Sequence, residues 1–250
     1  MLAARLIVPC LWLSLVGPAL ADEFTLSTGA DYSRGNYGTP TTSETWYVPV
    51  VVKYATGPLL YRLTIPYLRI TNPSVGPDGE PLPGGCGRVE KGLGDTVASA
   101  SIALLDGSRG DGLILDLTGK VKLPTADEDD CLGTGKTDFS AQIDITQRLG
   151  AVSGFATVGW KKFGDPSGSN LRDPFFVSLG FVTGLAPATS AGAAYDWRQE
   201  VSADGHEVQE LTLFLTQRLS RSWKIQLYAR KGFSDASPDA GGGLLLSHSF

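Results

Sequence analysis

Charged side chains in this chain stand at alternate positions of short, otherwise apolar segments. Arg62, Asp95, Asp116, Lys120, Lys122, Asp138, Asp144, Lys161, Asp196, Arg198, Glu200, Glu210, Lys224 and Arg230 all fall in this register. Successive side chains of an extended strand point to opposite faces, so these groups share one face and leave the other apolar. Gathered around an interior, mixed charges could line a wet passage and tune what crosses it. They could equally pair across a narrow interior and plug it. Tyr47, Phe176, Phe214 and Tyr228 share the polar register. They could form a path for aromatic or apolar solutes, or pack together and stiffen a wall.

Conventional catalysis finds little support. A serine hydrolase needs Ser, His and an orienting group within hydrogen-bond reach. His206 falls in an expected loop, and His248 points away from its neighbours Ser247 and Ser249. No catalytic residue, cofactor or metal site is expected, since phosphate loops, dinucleotide motifs and His/Cys clusters are lacking. Asp127–Asp130 (Asp-Glu-Asp-Asp) lacks EF-hand spacing and reads as a solvated acidic loop, with bound Ca²⁺ as the alternative. Cys86 and Cys131 lie in two long loops on the same expected side. A disulfide is expected in an exported chain, provided the loops approach to bonding distance; two thiols are the alternative.

Residues 1–21 carry Arg5, an apolar run and the small-x-small ending Ala19-Leu20-Ala21. They are expected to be a cleaved signal peptide, with residues 22–250 as the mature domain. Cleavage removes one charge and leaves 20 basic against 26 acidic residues. Without a basic patch, nucleic acid is not an expected partner. Beyond residue 21 no apolar run approaches the roughly 20 residues of a transmembrane helix.

The elements that position the charges are strands. Phe24–Tyr32, Trp46–Tyr54, Tyr61–Tyr67, Thr96–Leu104, Leu113–Val121 and Phe139–Ile145 alternate at period two. So do Ala156–Trp160, Phe175–Phe181, Ala191–Trp197, Leu211–Leu215, Trp223–Ala229 and the terminal Gly243–Phe250. Long polar connections and tight turns follow one another along the chain. These features predict an all-β, transmembrane, antiparallel up-and-down barrel of about twelve strands, with both termini periplasmic. A soluble barrel would turn its apolar face inward, and about twelve strands enclose too wide an interior for that face to fill. Tyr32, Trp46, Tyr54, Trp160, Trp197 and Trp223 at strand ends fit an interface girdle.

Several short motifs then resemble a known family. They are Gly92-Leu-Gly-Asp95, Lys122-Leu-Pro-Thr125, Gly133-Thr-Gly135 before Asp138, Gly232-Phe-Ser-Asp235, Ser237-Pro-Asp239 and the terminal Phe250. In order and spacing the chain is similar to the outer-membrane, transporter-like barrels grouped as "MetA-pathway of phenol degradation". The resemblance covers about Phe24 to Phe250 and departs at Ala126 and at the two loop cysteines. It implies a Gram-negative outer-membrane barrel that admits small, often aromatic or hydrophobic compounds.

The expected function is therefore passive transport of small solutes, not an enzymatic reaction. A non-transporting barrel with a plugged lumen is the alternative, and a lipid hydrolase at His248 a distant third. Expected partners are outer-membrane lipid and lipopolysaccharide, a small-molecule solute, and the barrel-assembly machinery through Phe250.

Overall fold

In the computed structural model the described residues are 22–76, 80, 82, 86–107, 112–166, 168–203 and 205–250. The expected signal peptide, 1–21, lies outside them. The strand segments are β1 (Glu23–Gly35), β2 (Ser43–Thr56), β3 (Leu59–Thr71), β4 (Val89–Leu93), β5 (Thr96–Asp106), β6 (Leu113–Leu123) and β7 (Asp138–Leu149). They continue as β8 (Val152–Lys162), β9 (Phe175–Ala186), β10 (Thr189–Arg198), β11 (Val208–Arg218), β12 (Trp223–Gly232) and β13 (Ala240–Ser249). Each is antiparallel to its neighbour, and the first and last pair from Thr25↔Ser249 to Arg34↔Ala240, so the sheet closes on itself. Closure removes the sheet edge and satisfies the backbone without solvent.

Thirteen segments make a twelve-stranded barrel, because β4 and β5 follow one another along the same neighbour, β3. The break has a local cause. Pro66 has no N–H to continue the ladder, and its carbonyl instead accepts the Gly94 N–H at 2.9 Å. Leu93 pairs with Tyr67 and Val97 with Thr64, so three residues on one strand oppose two on the other. This β-bulge carries Asp95 into the interior, where it is buried.

Turns of two residues join β2–β3, β7–β8 and β9–β10, and residues 107–112 and 219–222 join β5–β6 and β11–β12. Gly57 (φ 52°) and Gly150 (φ 66°) supply the left-handed backbone that two of these turns need. The other end carries the connections 36–42, 72–88, 124–137, 163–174, 199–207 and 233–239. Both ends of the described chain lie at the short-turn end.

The faces are inverted relative to a water-soluble barrel. Leu213 and Phe175 are more than half exposed on the outside, while Asp31 and Glu210 are each 1% exposed inside. An apolar exterior around a polar interior is stable only against lipid. At the short-turn end the Tyr54 hydroxyl donates to Asp22 at 2.7 Å, which holds that carboxyl below its ordinary range.

Candidate functional site: the barrel lumen

Strand register turns the inward charges into rows. Lys53 pairs directly with Arg62, then through Ser99 the row reaches Lys120, Ser140 and Lys161. A second row runs Asp116, Asp144, Thr157, Ser178, Asp196 and Glu210 across β6 to β11. On β6 the two rows lie four residues apart, about 13 Å at strand rise. Lys53↔Arg62, Asp116↔Asp144 and Asp196↔Glu210 are thus like charges directly opposite one another, an arrangement that costs stability.

Hydrogen bonds and ion pairs offset part of that cost. Asp144 accepts from Gln142 at 2.7 and 2.8 Å, from Thr157 at 2.6 Å and from Thr118 at 3.2 Å. Lys120 donates to the Gln142 carbonyl, which fixes the amide's orientation. Nearer the long-loop end, Lys122 Nζ sits 3.0 Å from Asp95, 3.2 Å from Asp138 and 3.8 Å from Glu80. Lys161 reaches Asp138 at 3.1 Å. All five groups are buried. A third cluster joins Arg230 to Asp31 at 2.8 Å and to Glu210 at 3.8 Å, with the Tyr228 hydroxyl on Asp31 at 2.6 Å.

The inward aromatics are engaged with the wall. Phe176 faces Gly159, Phe214 faces Gly192 and Tyr228 faces Gly243 as direct cross-strand partners. A Cβ on those glycines would come within 2.2, 2.3 and 2.7 Å of the respective side chains, so each ring covers the space its glycine leaves. Phe155 and Gly180 form a fourth such pair. Phe155 and Phe214 are buried together with Val182 and Ala194, and Tyr228 packs against them. Tyr47 belongs elsewhere. It is buried with Leu68, Ile70 and Leu132, the last supplied by the loop 124–137 folded into the mouth.

That loop is fastened twice. Cys131 is disulfide-bonded to Cys86 of the loop 72–88, and the Ala126 N–H donates to Asp95 at 3.0 Å. The acidic run turns on itself, with Asp129 and Asp130 N–H groups donating to Asp127, and no metal-binding group occurs among the described residues.

Other expected site residues are placed as follows. Arg198 is buried near the end of β10, Asp196 stands in the acidic row, and Lys224 projects inward opposite Ser247. Glu200 departs from the lumen expectation: β10 ends at Arg198, and Glu200 lies in the following loop, ion-paired with Arg172. His248 lies outside the barrel wall, edge-on to Trp223 at 4.6 Å and to Phe250 at 4.4 Å, whereas Ser247 is buried inside. That separation keeps Ser247 out of reach of the His248 ring. Lys53, Asp31 and Glu80 were absent from the expected set. The first two sit in the polar register and were legible there; Glu80 enters from a loop without periodicity.

The chain aligns with solved barrels over nearly their whole length. A KdgM porin matches 90% of this chain and 99% of its own at 8% identity, with a TM-score of 0.55. The same porin in complex with disordered oligogalacturonate gives 0.54. The β domain of the Bordetella autotransporter BrkA matches 91% and 99% at 13% identity, with a TM-score of 0.53. The fold is that of the outer-membrane, porin-like barrels. At these identities the likeness concerns fold alone. No family model matches the chain, and no curated protein matches its sequence, so the phenol-degradation family is not confirmed.

Proposed function

We propose that this protein is a narrow passive channel of the bacterial outer membrane for small polar solutes. In this reading the long loops face outward and the termini face the periplasm. The observation that carries it is the lumen's two rows of like charge, one cationic and one anionic, about 13 Å apart on the shared wall. Directly opposed like charges destabilise, a cost only partly offset by contacts such as Arg230–Glu210, and a field across a passage orients dipolar solutes. The aromatic solutes implied by the family resemblance gain no support here, because the lumen rings are engaged with glycines or with Leu132. Planar-bilayer recording tests the channel. The protein should conduct, and Lys53→Glu with Arg62→Glu should shift the reversal potential toward cation preference. Absence of conductance together with absence of solute-driven liposome swelling would sink the proposal.

A second reading, a closed barrel, is favoured by one specific arrangement. The mouth holds the buried Lys122 cluster, the Leu132 apolar contact and the Cys86–Cys131 bond. If these close the passage, replacing both cysteines by serine should raise conductance well above the parent. A parent that already conducts, with a serine variant no more conductive than it, would discard the closed reading.

A further inference from the structure

The outward face carries an arrangement that the lumen does not explain. One register row crosses β1 to β4 as Tyr32↔Trp46↔Arg69↔Lys91. Tyr32 and Trp46 lie 5.1 Å apart between ring centroids, and Trp46 is exposed. Arg69 and Lys91 are exposed cross-strand neighbours, and neither makes an ion pair among the described residues. Two like charges set opposite one another repel, and an anion seated between them relieves that cost. Among the described strand residues beside them on β1 and β2, the outward charges are Arg34 and Glu44, themselves register partners, so on these four strands three cations meet one carboxylate in this patch. This excess stands on a chain whose formal net charge is −5. It also stands in the same register row as the aromatic residues, near the long-loop ends of the strands, where a bilayer presents its interface and headgroups.

We propose that Arg69 and Lys91, flanked by Trp46, form a binding site for a phosphate group of lipopolysaccharide in the outer leaflet. A guanidinium and an ammonium at strand-pair spacing can both reach one phosphate, the first as a planar fork and the second as a point charge. The adjacent indole offers an amphipathic surface to the headgroup sugar. The site rests on the orientation proposed above, with the long-loop end outside. Its test therefore separates the two claims.

Orientation is read first. Ser169→Cys, in a long loop, should react with a membrane-impermeant maleimide on intact cells; no labelling there would overturn the orientation and the site with it. Lipid binding is then measured by native mass spectrometry on detergent-purified barrels titrated with lipopolysaccharide. Arg69→Ser with Lys91→Ser should weaken binding about tenfold or more. Arg69→Lys with Lys91→Arg should retain most of it. Enzymatically dephosphorylated lipopolysaccharide should bind parent and serine variant equally weakly. Parent-like affinity in the serine variant, or undiminished binding of dephosphorylated lipid to the parent, would overturn the site even if Ser169→Cys labels. Heat-modified gel mobility confirms that each variant is folded.

Discussion

Replacing Lys122 by methionine tests the buried mouth cluster most directly. Lys122 Nζ lies 3.0 Å from Asp95, 3.2 Å from Asp138 and 3.8 Å from Glu80, and donates to Thr134 at 3.2 Å. With Lys161, two cations serve three carboxylates. Methionine keeps the stem's volume and removes the charge. Asp138 then retains Lys161, but Asp95 loses the cation 3.0 Å away that compensates its burial. Removing one partner of a buried ion pair costs about 3–5 kcal/mol, because the other charge stays desolvated. Reversible guanidinium unfolding in lipid vesicles, followed by tryptophan fluorescence, measures the loss. The double variant Lys122→Met, Asp95→Asn should recover a substantial part, since the amide can still accept the Ala126 N–H at little desolvation cost. Protease sensitivity of the loop 124–137 should rise in the single variant, because Asp95 is what that loop's first residues hold. A loss below about 1 kcal/mol, with no recovery in the double variant, would refute the claim that these charges act as one buried unit.

Three further outcomes follow from the packing. Gly192→Ala would put a methyl within 2.3 Å of both the Phe181 carbonyl and the Phe214 ring, so it should destabilise by about 1–3 kcal/mol. Gly184→Ala, which meets nothing within 4 Å, should stay within about 0.5 kcal/mol in the same unfolding assay. Phe250→Ala removes a ring 5.5 Å from Phe24 at the closing seam and should lower the amount of assembled protein in outer-membrane fractions more than it alters conductance per assembled barrel; equal assembled levels would contradict a role for the terminal ring in assembly.

Much of this architecture is legible in the sequence. Alternation assigned a face to nearly every strand residue, and the inward set around Asp116, Lys120, Asp144 and Lys161 follows from parity alone. Glu200 shows the limit: parity continues past Arg198, but the hydrogen-bonded ladder does not. Phe155 shows another. It falls just outside the alternating Ala156–Trp160 segment, although its partner Gly180 shares the inward parity of Phe176. The split between β4 and β5 could be suspected from Pro66, yet the one-residue bulge depends on how Gly94 approaches it.

By itself, then, the sequence determined the all-β class, the twelve-strand barrel, the polar interior and the two cysteines able to meet. These depend on period-two patterning and turn chemistry, which are local. Only the tertiary structure decided which inward residues stand opposite one another. That depends on the stagger between strands, which no single strand encodes. The stagger makes Lys53 face Arg62 and Asp116 face Asp144, seats each lumen ring on a glycine, and sets Arg69 beside Lys91 on the outside. It also brings Glu80 and Leu132 from two loops into one mouth, where the Cys86–Cys131 bond holds them.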